Sequence, residues 1–151
     1  MAQPNLRETG PFVLTRSFSV APDKVWRAWI DPAAIRIWFG QSDAPGWEAE
    51  MDVRTGGRYR LVMRDPEGGY YEARGEYREV VQGRKLVFTW TWQTGPDAIE
   101  ALITVHLKPL EGKMRGGTEL EFTLDPVADP RERDAWRADF KRLAVHLKEK
   151  S

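Results

Sequence analysis

Two histidines, His106 and His146, are the only imidazoles in the 151 residues, and there is no cysteine. Without a thiol, disulfides, thiolate nucleophiles and cysteine-based metal sites are excluded. The two histidines belong to no H-x-x-x-H or H-E-x-x-H pair, the spacing that sets two imidazoles on one helix face to grip a metal. His106 shares the polar parity of its segment with Thr104 and Lys108, and His146 stands one residue off the apolar stripe of the last segment. Both read as solvated side chains. No G-x-S-x-G elbow, P-loop or dinucleotide fingerprint is present, so neither a hydrolytic triad nor a nucleotide cofactor is expected. No catalytic residue and no cofactor are assigned.

Two features with chemical content are left. Arg16 falls on the same parity as Phe12, Leu14 and Phe18. A guanidinium on an apolar face must be paired or must reach water, because a buried lone charge is very costly. Three readings stay open for it: an ion pair near a helix end, emergence at a sheet edge, or an anchor for an acidic ligand head group. The second feature is aromatic: seven Trp, six Phe and four Tyr in one small chain. Tyr59, Met63, Tyr71, Tyr77, Phe88, Trp90 and Trp92 share one face of successive period-two segments, and Trp136 and Phe140 share the stripe of the last helix. Rings with polar tips, facing inward together, suit an apolar cavity with a few hydrogen-bonding handles. They suit a filled core equally well.

The elements that must position these residues are legible from hydropathy period. Residues 11–20 alternate as a first strand. Val25, Trp26, Trp29 and Ile30 then form one helical stripe, Asp31-Pro32 starts a second short helix carrying Ile35 and Trp38, and Gly40 ends it. Trp26, Trp29 and Trp38 are expected to pack these helices against the end of the sheet and so to gate any opening there. From Trp47 to Leu124 the period is two, punctuated at Gly56-Gly57, 65–69, Gln82-Gly83, 94–97 and a hairpin tip at 109–117. Asp129-Pro130 opens a last helix in which Trp136, Phe140, Leu143 and Leu147 recur on one face. Its charged residues, Arg131 to Asp134 with Arg137, Asp139, Lys141 and Arg142, read as a solvated face with i,i+4 pairing. The fold class is α+β: a curved antiparallel sheet of about seven strands, two short helices after the first strand, and a long C-terminal helix across the concave face. It forms a single domain, 1–151, with an ordered core of about 11–149.

Lys+Arg and Asp+Glu each total 23. That balance argues against a nucleic-acid binder relying on a basic surface and against a polybasic membrane-surface protein. No apolar run approaches the ~20 residues of a spanning helix, and the first ten residues carry no signal-peptide core. A cytoplasmic protein is the expectation.

The residues Arg16-Ser17-Phe18, Ala21-Pro22, Val25-Trp26, Ala28-Trp29, Asp31-Pro32, Ile35, Trp38-Phe39-Gly40, Gly56-Gly57, Gly75-Glu76-Tyr77, Leu86-Val87-Phe88-Thr89, Gly117-Thr118 and the Trp136-centred helix resemble the START-like (SRPBCC) helix-grip superfamily. Within it they are most similar to the branch grouped with the activator of the heat-shock-protein-90 ATPase. The resemblance runs from about Phe12 to Leu147. It implies a pocket between sheet and long helix, often used for hydrophobic or aromatic small molecules, and it implies no single activity, since the superfamily includes lipid carriers, hormone receptors and polyketide cyclases. The expectation is a binding protein for such a molecule, lined by Tyr59, Met63, Tyr71, Tyr77, Phe88, Trp90, Trp92, Trp136 and Phe140. Alternatives are a co-chaperone-like interaction domain, which the resemblance implies, and a cyclase- or hydrolase-like enzyme, which needs an inward acid or base. No inward His, Asp or Glu is identified. A homodimer and a chaperone contact stay open as partners.

Overall fold

The structure, a computed structural model, describes residues 11–39, 48–64, 70–92, 99–112, 115–127 and 130–150. Strand β1 (Phe12–Phe18) leads into helices α1 (Pro22–Ile30) and α2 (Pro32–Trp38). Strands β2 (Glu48–Met51), β3 (Arg58–Arg64), β4 (Tyr70–Val81), β5 (Lys85–Trp92), β6 (Glu100–Pro109) and β7 (Thr118–Asp125) follow, and α3 (Arg131–Lys150) closes the chain. The seven strands form one antiparallel sheet in the order β1-β7-β6-β5-β4-β3-β2. The expected α+β helix-grip is therefore present, with its two short helices and its long last helix.

Local chemistry explains the boundaries. Pro22 occupies the first turn of α1, where its missing N–H costs nothing. The Asp31 carboxylate accepts the Ala33 N–H at 3.0 Å and caps α2, with Pro32 behind it. Gly56, Gly83 and Gly116 have positive φ, so three of the expected turns use glycine where a side chain would be strained. The turns expected at 65–69 and 94–97 lie outside the described residues, as do Gly40, Trp47 and Asp129.

β1 and β2 are the two edges of the sheet, which explains Arg16. Its side chain is exposed and lies over the Phe18 ring, 5.9 Å from the centroid. Of the three readings, emergence at the sheet edge is the one realised, because among the described residues no strand flanks β1 on its outer side.

Two expectations about α3 are corrected. His146 and Asp139 are buried, at 8% and 5% exposure. Each lies three residues after a stripe residue (Leu143 and Trp136), so the covered face is wider than the four-residue stripe. The cause is packing on three sides, since α3 neighbours α1, α2 and β1. Asp139 bonds Arg142 one turn on, and the Arg142 Nε donates to the Trp38 carbonyl at 3.0 Å. The ion pair is at i,i+3, not i,i+4, and its arginine ties α3 to the end of α2. Arg137 lies over the Phe12 ring at 5.1 Å, so its stem covers the core edge.

Candidate functional site

A continuous chain of rings runs through the space between sheet and helices. Phe12 meets Phe122 edge-on, and Phe122 contacts Trp136 at 4.6 Å and Phe140 at 5.4 Å between centroids. Trp29 lies parallel to Trp136 and edge-on to Trp38 at 4.8 Å. Trp136 contacts Trp90 at 5.3 Å, Trp90 stacks towards Tyr59, and Tyr59 meets Tyr77 and Phe88, each at 5.5 Å. Edge and tilted contacts of this kind add roughly 0.5–1.5 kcal/mol per pair beyond the burial of area.

The rings do not close completely. A gap of about 30 Å³ is walled by Trp29, Ile35, Trp38, Phe39, Met51, Tyr59, Leu61, Tyr77, Leu86, Phe88, Trp90 and Trp136. That is room for a water or two, since one water needs ~10–15 Å³ measured this way. Of the nine residues expected to line a site, Tyr59, Tyr77, Phe88, Trp90 and Trp136 stand on its wall. Met63 and Phe140 do not: both are buried in the core, and Phe140 packs with Trp29 and Phe122 instead. The side chains of Tyr71 and Trp92 lie outside the described ones. Trp29 and Trp38, expected to pack the small helices against the sheet end and so to gate any opening there, are wall residues, and so are Phe39, Ile35, Met51, Leu61 and Leu86. The same-face parity of Leu61 with Tyr59, and of Leu86 with Phe88, was a usable signal for two of them.

The position of Tyr59 follows from a missing side chain. Its partner across the strands is Gly75, and a Cβ built there would stand 1.9 Å from the Thr89 carbonyl oxygen. Over this bare stretch of β4 the Tyr59 hydroxyl donates to that carbonyl at 2.5 Å. The Thr89 hydroxyl in turn accepts the Glu76 N–H at 2.8 Å, which accounts for the burial of Thr89 on the outward parity of β5. Glycine at 75 is thus needed for close approach of the strands and for the seat of a ring.

Among the described residues of the wall, two titrate. Burial pushes the Tyr59 phenol well above its usual value, with the neighbouring Tyr77 adding to the effect. Burial, followed by the charge of Asp52, pushes Tyr77 up as well. Both phenols stay protonated at neutral pH and serve as hydrogen-bonding groups, not bases. Asp139 and His146 are inward groups that sequence reasoning missed, but neither stands on the wall. Among the described residues no group of three His, Cys, Asp or Glu could hold a metal, and no helix is long and apolar enough to cross a membrane.

Two tryptophans of the wall differ in one atom's surroundings. The Trp38 Nε1 donates to the Ala28 carbonyl at 2.9 Å. The Trp29 Nε1 is buried and has no hydrogen-bond partner among the described residues. A buried donor left unmade costs about 1–3 kcal/mol.

The family model described as activator of Hsp90 ATPase homolog 1-like protein matches residues 19–149. Among solved structures, protein CV1439 from Chromobacterium violaceum is 26% identical, with 91% of this chain and 96% of that chain covered and a TM-score of 0.75. An uncharacterized protein from Rhizobium leguminosarum is 26% identical, with 94% and 96% covered and a TM-score of 0.74. A protein from Arthrobacter aurescens, at 18% identity, shares the fold with a TM-score of 0.76 over 97% of this chain and 90% of that one. No curated protein matches the chain.

Proposed function

The chain belongs to the activator of Hsp90 ATPase homolog 1-like family, a branch of the START-like helix-grip superfamily, and from that premise we propose that it binds a hydrophobic or aromatic small molecule between the sheet and α3. The observation that carries this reading is convergence. Rings from β3, β4, β5, α1, α2 and α3 meet at one gap whose only titratable side chains are two neutral phenols. Apolar walls with few polar handles are what a small-molecule site requires.

The gap as it stands is far below the ~300 Å³ of an occupied pocket, so binding is coupled to widening. Phe39, past the end of α2 and outside both helix and strand, packs edge-on to Trp90 at 5.5 Å. It is the ring that gives way first in this reading. Affinity comes from apolar burial at roughly 25 cal/mol per Å², less the cost of moving the rings.

Titration with fatty acids, flavonoids, polycyclic aromatics and small sterols tests the proposal, following tryptophan fluorescence and thermal unfolding together. One class should give saturable quenching, with about 2.7 kcal/mol of stabilisation at a hundredfold excess over Kd. Leu61→Phe, which places a larger side chain on the wall, should remove the response. A folded protein that responds to no class overturns the reading. A second reading, a protein contact of the kind the family's name describes, is favoured by the near-closure of the gap. Binding of a purified chaperone ATPase with no small-molecule response would establish it instead.

A further inference from the structure

We infer that the ligand of this site carries a hydrogen-bond acceptor and presents it to the Trp29 indole N–H; the inference rests on the small-molecule reading above. Trp29 stands on the wall of the gap, and its Nε1 is buried without a partner. Its ring contacts are to Trp38, Phe122, Trp136 and Phe140. None of these four side chains carries an oxygen acceptor. Trp38, in edge-on contact with Trp29 at 4.8 Å, satisfies its own N–H from the Ala28 carbonyl, so the fold is able to pair an indole here and, among the described residues, leaves that of Trp29 unpaired. Tyr59, the other polar handle with a defined bond, has its hydroxyl proton committed to the Thr89 carbonyl. Trp29 therefore supplies an unused donor in an apolar wall. A group that fills the gap and accepts that proton gains a hydrogen bond that displaces no protein partner and competes with little water. The ligand class so defined is a flat apolar molecule bearing a ketone, ether or similar neutral acceptor. A neutral acceptor is favoured over a carboxylate because, among the described residues, no cationic side chain stands on the wall.

Fluorene and fluorenone differ in one carbonyl on the same flat skeleton, and they make the test. Fluorenone should bind the wild type about tenfold more tightly, roughly the worth of one buried hydrogen bond. Trp29→Phe should abolish that preference while still binding fluorene. In the wild type the Trp29 indole proton resonance should move downfield with fluorenone and not with fluorene, a readout that does not depend on the variant folding. Binding of neither compound overturns the small-molecule site as well as the acceptor. Equal binding of both, with the indole proton unshifted, leaves the site standing and overturns the acceptor. In that case the N–H is satisfied by a ring face such as that of Trp38. A preference that persists in Trp29→Phe places the donor elsewhere and overturns the assignment.

Discussion

The two halves of the aromatic core use the same kinds of side chain and end in different states. On the β1–β7 side, Phe122, Leu120, Leu124, Phe140 and Leu143 are at most 1% exposed, and none of them stands on the wall of the gap. On the β3–β5 side, Tyr59, Tyr77, Phe88 and Trp90 surround one. The helices account for the difference. The backbone of α3 runs beside β1, α1 and α2, and α2 runs beside β2. Over β3–β5 the cover is made by the rings of Trp29, Trp38, Phe39 and Trp136. Rigid rings reaching from a distance tile a surface less completely than a helix whose short side chains interdigitate with it. Packing density is thus set by how near the helix backbone comes, not by hydrophobicity, which the two halves share.

Truncation should separate the halves most. Phe122→Ala should cost about 4–5 kcal/mol, and Phe88→Ala about 3, because the wall of an existing gap relaxes more readily than a close-packed layer. Equal losses in denaturant unfolding would remove the distinction. Enlargement should separate them with opposite sign. Leu124→Phe should destabilise by about 1–3 kcal/mol through overpacking, while Leu61→Phe, at the gap, should fall within about 1 kcal/mol of the wild type. If Leu61→Phe is as damaging as Leu124→Phe, the gap has no room to give.

The smallest effect is electrostatic and belongs to the gapped half alone. Tyr59 and Tyr77 hold their protons in the folded protein beyond the usual phenol value of about 10, which the unfolded chain keeps. Their contribution is complete below pH 10 and is lost as pH rises, because the unfolded state then releases protons that the folded state retains. Stability should fall by about 1 kcal/mol per tyrosine by pH 11, and Tyr77→Phe should flatten that part of the profile. A Tyr77→Phe variant with the wild-type slope above pH 10 would show that Tyr77 is not shielded.

The order of elements was legible in the sequence, and the reason is local. Period-two alternation, the Asp31-Pro32 cap and the turn glycines each act within a few residues. Parity likewise placed Tyr59, Tyr77, Phe88 and Trp90 on the inner face. Parity says which face a side chain occupies, however, and not whether that face is covered. It put Arg16 among Phe12, Leu14 and Phe18, yet β1 is an edge strand and Arg16 is exposed. A four-residue stripe on α3 likewise understated the buried face, since three elements flank that helix and cover Asp139 and His146.

The sequence by itself determined the antiparallel sheet, the two short helices, the long last helix and an inward aromatic face, because these follow from periodicity and caps. Only the tertiary structure decided that Met63 and Phe140 fill the core while Trp29, Trp38 and Phe39 wall a gap, and that one of two neighbouring indoles goes unpaired. Those outcomes depend on the distance between elements far apart in the chain. No local pattern encodes it.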